Sequence, residues 1–296
     1  MKKNNFIKQN TAVAGVIEAL LLVALVAIIL GLIQLYYVPE TMEQKESDHM
    51  DQVANQMSFL KAMIDVQTLT KEEVPISSPI TLGSSELPYF VTVASSGELY
   101  IYDKDNCKNC KIQNSDAFSF SEFPGFTNGI PLTSVRYKAN NFYYVKQTYI
   151  IEGGGIILEQ SNGEDFIVSP PITVENSSSD IKIEYDIPVF TDRGNNQTSG
   201  YDTTFIRTNY TRDDADFVNN INWLRIYTYY PDAWNLTLIR DSSGLLWEYY
   251  NNGYIDVEVY DSESPAYIEI TPDSKNLDIE FTVIEIGAQI GPGYEE

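Results

Sequence analysis

Cys107 and Cys110 stand in the run Asp105-Asn-Cys-Lys-Asn-Cys-Lys111, and this Cys-x-x-Cys pair is the first place to look for chemistry. Such a pair serves as a redox couple, as half of a zinc site or as a small disulfide loop. Zinc needs two further ligands, but the chain has no other cysteine and a single histidine, His49. Thioredoxin-like exchange needs a βαβ setting that the surrounding pattern does not offer. The expectation is a Cys107–Cys110 disulfide that tightens a surface loop in an oxidising compartment.

Acidic clusters invite a calcium reading, at Asp213, Asp214 and Asp216 and again at Asp103 and Asp105. Neither run matches an EF-hand loop, so solvated loops and no bound metal are expected. No nucleophile elbow, Walker loop, dinucleotide fingerprint or HExxH zinc motif occurs. With its one histidine far from the C-terminal part, the chain offers no candidate for His-based acid–base work there. Acids are plentiful enough for a carboxylate-pair hydrolase, but no feature favours one. The sequence therefore predicts neither an enzyme nor a cofactor. The aromatics at Tyr227-Thr-Tyr-Tyr230 and Tyr249-Tyr250 would suit stacking on sugars if exposed, and a core or sheet edge if not. Charge removes one further class: 19 basic against 42 acidic residues give a net charge of −23, which repels phosphate backbones and argues against nucleic-acid partners.

The elements that carry these residues begin with a membrane segment. Ala12–Val38 runs for 27 residues with a single acid, Glu18, and a single amide, Gln34. As a helix it would reach roughly 40 Å, more than a hydrocarbon core and too long for a cleaved secretory signal. Lys2, Lys3 and Lys8 precede it, while Glu40, Glu43, Glu46, Asp48 and Asp51 follow. The positive-inside rule keeps the N-terminus cytoplasmic and places the remainder outside, as a single-pass membrane protein of the cell surface. Glu18 lies about two turns from the inner edge. It either snorkels to the headgroups or pairs with a positive group on a neighbouring copy.

Beyond Pro39, which is placed to kink the rod, Met50, Val53, Met57, Leu60 and Ile64 repeat at helical spacing. One helical rod from about Asn10 to Val66 is expected, ending near Gln67–Thr70. Its apolar stripe needs a cover, either the chain's own outer domain or other copies. From Leu69 the period becomes alternating, and eleven strands are predicted: Pro88–Ala94, Glu98–Asp103, Phe142–Ile151, Gly155–Gln160, Asp165–Ser169, Ile181–Phe190, Thr203–Tyr210, Trp223–Tyr230, Tyr254–Tyr260, Tyr267–Thr271 and Leu277–Ile286. Trp234–Tyr250 has room for one short helix. The fold class is α+β, a long N-terminal helix followed by an antiparallel, all-β, sandwich-like head. The domains read as a basic leader over 1–11, a membrane helix over 12–38, an amphipathic stalk over 39–68 and an extracellular head over 69–296. Sequons at Asn176, Asn196, Asn209 and Asn235 fit a glycosylated exterior.

A basic leader, an apolar helix running into an amphipathic rod and an acidic β-rich head together resemble the type IV pilins. The stretch Asn10-Thr-Ala-Val-Ala-Gly15-Val-Ile-Glu18-Ala-Leu is similar to the archaeal pilin-like branch, as are Leu35-Tyr-Tyr-Val-Pro39 and Asp48-His-Met-Asp51. The specific likeness covers about residues 8–66. It implies that a prepilin peptidase cuts ahead of the apolar helix, with Asn10, Thr11 and Gly15 marking the candidate region. The helix then becomes a filament core, Glu18 takes a place in subunit pairing, and Ala14, Gly15 and Gly31 permit close helix approach. The function expected is a structural, self-associating subunit of an extracellular filament or its assembly apparatus. The alternative is a permanently anchored surface protein whose β-sandwich binds a glycan, a wall component or a partner.

Overall fold

In a computed structural model, residues 5–84, 95–106 and 109–291 are described, with side chains from Ala14 onward. The predicted strand Pro88–Ala94 lies outside these residues, as does Cys107. One helical rod opens the chain: α1 (Asn5–Leu32), a π-helical turn (Ile33–Tyr37) and α2 (Val38–Thr70). It begins earlier than expected and ends at Thr70, within the expected range, closing on Lys71 in the left-handed region at φ 53°. The irregularity sits just ahead of Pro39. The N–H of Val38 donates to the carbonyl of Ile33, five residues back. Proline lacks an amide hydrogen and its ring crowds the carbonyl four residues earlier, so the widened turn accommodates it without a sharp break.

Sixteen strands follow among the described residues: β1 (Ile76–Thr81), β2 (Ser96–Tyr102), β3 (Lys111–Asn114), β4 (Ile130–Pro131), β5 (Ser134–Asn140), β6 (Gln147–Glu152), β7 (Gly155–Gln160), β8 (Gly163–Val168), β9 (Ile172–Asn176), β10 (Asp180–Asp192), β11 (Gln197–Gly200), β12 (Thr203–Val218), β13 (Leu224–Thr228), β14 (Ile255–Tyr260), β15 (Ala266–Pro272) and β16 (Asn276–Ile290). Two short helices, α3 (Pro231–Ile239) and α4 (Trp247–Asn251), occupy the segment where one was expected. The strands form three sheets, ordered β1-β12-β16-β10-β9, β11-β2-β5-β6-β7-β8 and β14-β15-β13-β3-β4. All pairs are antiparallel except β10 with β16, which run parallel in register from Asp180–Asn276 to Asp192–Ala288.

The first sheet is the spine of the head, because its long central strands serve two cores. Leu277, Ile279, Phe281 and Val283 of β16 join a core with β10, β13, β15, Trp234 and Leu238. Ile284, Ile286, Ala288 and Ile290 join a second core with α2 and the inner face of the second sheet. The change from odd to even positions at Val283/Ile284 means that opposite faces of one strand are buried at its two ends. This double burial explains why β16 reads as a near-continuous apolar run at its C-terminal end.

Met50, Val53, Met57, Leu60 and Ile64 are all at most 2% exposed, packed on β1, β2, β5, β6, β12 and β16. The chain's own head therefore covers the stripe, each side chain contributing roughly 1.5–3 kcal/mol by burial. The stalk is not free-standing but forms part of the head's core. The apolar half of the rod is the opposite. Val16, Leu20, Leu21, Val23, Ile28 and Leu32 are each between 54% and 66% exposed. Helix Ala14–Thr70 contains a span long and apolar enough to cross a membrane, and none of that span is buried.

Candidate functional site

The rod meets the head through a ladder of polar contacts, and of the residues that make them only Glu46 reads in the sequence as a flanking charge. Glu46 is fully buried, and its carboxylate accepts the backbone N–H groups of Phe142, Tyr143 and Tyr144 at 2.7–3.1 Å. These amides are thus withdrawn from the sheet, which is why β6 starts at Gln147 rather than at Phe142. One turn further on, His49 Nε2 donates to the Thr81 carbonyl at 3.0 Å, and its ring stands edge-on to Tyr137 at 6.4 Å. Burial pushes the His49 pKa below the usual histidine value, against the contrary pull of the Thr81 carbonyl and Glu46. At the C-terminal end Gln67 Nε2 donates to Thr208 O, and Lys71 pairs with Asp213 at 2.6 Å. His49 is a latch between rod and head.

Ala14, Gly15 and Glu18 are exposed, and a side chain added at Gly15 or Gly31 would meet nothing within 4 Å. The assembly residues named from the sequence therefore lie on a bare helix. Asn10 and Thr11 fall within α1.

The acids Asp213, Asp214 and Asp216 do not form a solvated loop. They continue β12 past a bulge between Tyr210 and Arg212, where the long partner β16 extends the ladder. Asp214 accepts from Ser121 Oγ and Glu122 N at 3.0 and 2.9 Å, and Asp216 from Ser119 N at 2.8 Å. They fasten the aromatic loop that lays Phe118, Phe120 and Phe123 onto the core. Asp103 accepts the N–H groups of Asp105 and Asn106, both at 2.9 Å, and so shapes its own turn. Among the described residues no three His, Cys, Asp or Glu side chains are placed to share a metal ion.

Of the sequons, Asn176 is exposed at the end of β9, while Asn196, Asn209 and Asn235 are half-buried. Asn209 sits inside β12 opposite Gly287, and its Oδ1 would lie 2.5 Å from a side chain added there. Asn235 lies on α3 with its Oδ1 buried. Cys110 is buried at the mouth of a cleft.

That cleft holds about 620 Å³, and no single motif announced it. Its floor is the face of the second sheet turned away from α2, with Tyr102 from β2, Ser134 and Arg136 from β5, Glu152 from β6 and Glu159 from β7. Asn106, Asn109 and Cys110 form one rim, and Tyr229 and Tyr230 the other. The far rim is set by a chain of hydrogen bonds. Glu152 Oε1 accepts from Trp234 Nε1 at 2.9 Å and from Thr228 Oγ1 at 2.7 Å, and Thr228 Oγ1 in turn accepts Tyr230 N–H at 3.0 Å. Tyr230 is buried, whereas Tyr229 projects at 60% exposure. The turn from β6 to β7 uses Gly153 and Gly154 at φ +57° and +77°; a side chain at Gly153 would strike Tyr185 and Trp234.

Burial pushes the Glu152 carboxyl up to about 7, although Trp234 and Thr228 favour its charged form. Glu164, which accepts the first amides of α3 at Asp232 and Ala233, is likewise pushed up to about 7, chiefly by burial. Arg136 Nη2 lies 3.5 Å from Glu159 Oε2, a charge pair at the cleft floor. The two cleft carboxylates come from adjacent strands. Glu152 faces Gly155 across the hairpin, four residues from Glu159, so their backbones lie roughly 13 Å apart along the strands. Each is turned to another partner, Glu152 to Trp234 and Thr228 and Glu159 to Arg136. The arrangement suits binding by hydrogen bonds and aromatic faces.

Of the tyrosines named as sugar-stacking candidates, Tyr229 and Tyr230 are in this cleft. Tyr227 lies on β13 against Tyr267, and Tyr249 packs on the core. Compared with known proteins, the chain matches no family model, no curated protein and no solved structure.

Proposed function

We propose that this chain is a pilin-like subunit of a surface filament or of its assembly apparatus. The observation that supports this reading is the division of one rod. Its first half is apolar and bare, and its second half is built into the core of a β-rich head. A helix of that kind is satisfied either in lipid or by packing against copies of itself. Outside the membrane, every 100 Å² of apolar surface buried between copies contributes roughly 2.5 kcal/mol. A heterologous contact repeated from copy to copy builds a helical filament. In this reading the N-terminus starts in the cytoplasm, a prepilin peptidase removes the leader, and the head stands outside the cell. The Cys107–Cys110 pair is then in a compartment that favours a disulfide. The head has a binding rather than a catalytic task.

N-terminal sequencing of the mature protein from the native cell surface, paired with electron microscopy, tests this. A start between Thr11 and Val16, with filaments that carry the protein, is the expected result. An intact Met1 without filaments would overturn it and leave a permanently anchored surface-binding protein.

A further inference from the structure

We propose that the cleft between the second sheet and the Tyr229–Tyr230 turn is a binding site for a neutral oligosaccharide. Its size falls within the 300–1,000 Å³ usual for small-ligand sites, but its lining is unusually polar for one. Two asparagine side chains, a serine, three tyrosines, an arginine and two glutamates line it, with Asn106, Asn109 and Tyr229 the exposed ones. A lipid or other apolar ligand would leave most of these unpaired, at a cost per group that excludes it. Charge narrows the class further. Arg136 is already faced by Glu159 at 3.5 Å, so the floor holds no spare cation for a phosphate or carboxylate. The chain's net charge of −23 repels anions in addition. What remains is a ligand that is uncharged, rich in hydroxyls and able to present a flat C–H face, which is a sugar ring.

Two further features fit this ligand. Tyr229 is held out at 60% exposure by a turn whose backbone is fixed through Thr228 and the buried Glu152. A fixed aromatic face beside polar groups is what stacking on a pyranose needs, because it costs little entropy on binding. The aromatic surface also continues past the cleft. Tyr102 stacks on Tyr100 at 6.0 Å, and Tyr100 lines a second, open depression with Gln197, Thr198 and Ser199. A track of that form matches a chain of sugar rings better than a single one. The inference does not depend on filament assembly, since the cleft is formed within one copy.

The test uses the full chain in a non-glycosidic detergent, titrated with mannotetraose, cellotetraose and tetraacetylchitotetraose, and with polygalacturonate fragments as the anionic counterpart. Saturation-transfer NMR reads binding. At least one neutral tetrasaccharide should saturate the protein, and Tyr229→Ala should weaken it by about tenfold or more, ~1.4 kcal/mol. The exposed rim variant Asn109→Ala should weaken it as well, and Phe142→Ala, on a loop fastened to the rod, should leave it unchanged. Circular dichroism shows whether each variant is folded. Absence of saturation by every neutral probe, preference for the anionic fragments, or binding indifferent to both Tyr229→Ala and Asn109→Ala would each overturn the proposal.

Discussion

Glu46 Oε2 accepts the backbone N–H of Tyr144 at 2.7 Å, across 98 positions of sequence, and this contact ties the rod to the head. The carboxylate is fully buried, and with Phe142 and Tyr143 it gathers three amides that have no strand partner. Glu46→Ala leaves all three without an acceptor. The expected loss is about 2–4 kcal/mol of head stability, with faster hydrogen exchange at those amides. Glu46→Gln, which keeps a carbonyl oxygen, should lose less. Unchanged exchange at Phe142–Tyr144 in the alanine variant would show that the carboxylate is not their acceptor in solution.

The stripe of α2 makes a sharper contrast between neighbouring residues. Leu60 is 0% exposed and Phe59 is 45% exposed. Leu60→Ala should cost about 2–5 kcal/mol by denaturant titration, and Phe59→Ala about 0.5 kcal/mol or less. Replacing Val53 and Leu60 together with Asp should abolish recovery of folded protein, because two unpaired carboxylates would enter the core. Equal effects at positions 59 and 60 would mean that the rod is not seated as described.

The cleft acid Glu152 gives a pH dependence of defined sign. Its carboxyl is pushed up to about 7 from an ordinary 4.5, so between those values the folded chain holds a proton that the unfolded chain has released. Stability from this group therefore falls as pH rises from about 4.5 to 7 and is level above that. Glu164 acts in the same direction, while His49 acts oppositely, losing stability as pH falls below its ordinary value of 6.5. The comparison that isolates Glu152 is wild type against Glu152→Gln, by urea midpoint at pH 5 and pH 8. The variant should lose less stability on going to pH 8. Parallel profiles would remove the burial argument for Glu152.

Much of the frame was legible because burial imposes period. The stripe from Met50 to Ile64 and the alternation in β10 and β16 each follow from one buried face. What escaped reading has identifiable causes. β3, β4 and β11 have at most four residues, too short for a periodic signal. In β12 the strand continues past Tyr210 through a bulge, and acids that look solvated are held by the Ser119–Glu122 loop. The parallel β10–β16 pair depends on a connection of nearly the whole second half of the head, which no local pattern encodes. Glu46 read as one more flanking acid because its partners are backbone amides, and these leave no trace in residue type. The cleft was visible only as Cys110, Tyr229 and Tyr230, since its other walls come from four strands and a turn that only the fold brings together.

Pro39 links the fold to the proposed assembly. The Val38 N–H reaches back five residues to Ile33, so the turn ahead of the proline carries one residue more than an α-helix would. That extra residue sets the rotation of the bare apolar half relative to the head by about 100°, the angle one residue subtends in a helix. Pro39→Ala restores an amide donor toward the Leu35 carbonyl and removes the ring that crowds it. The π turn should then relax to α-helix and turn the face carrying Ala14, Gly15 and Glu18 away from its present direction. Head stability should change little, because the buried stripe begins beyond this turn. If the rod's first half packs copies together, filament formation should fall sharply while the urea midpoint of the head stays within about 0.5 kcal/mol of wild type. Filaments of normal yield and symmetry from a variant whose π turn has relaxed would mean that the bare half does not set the subunit contact.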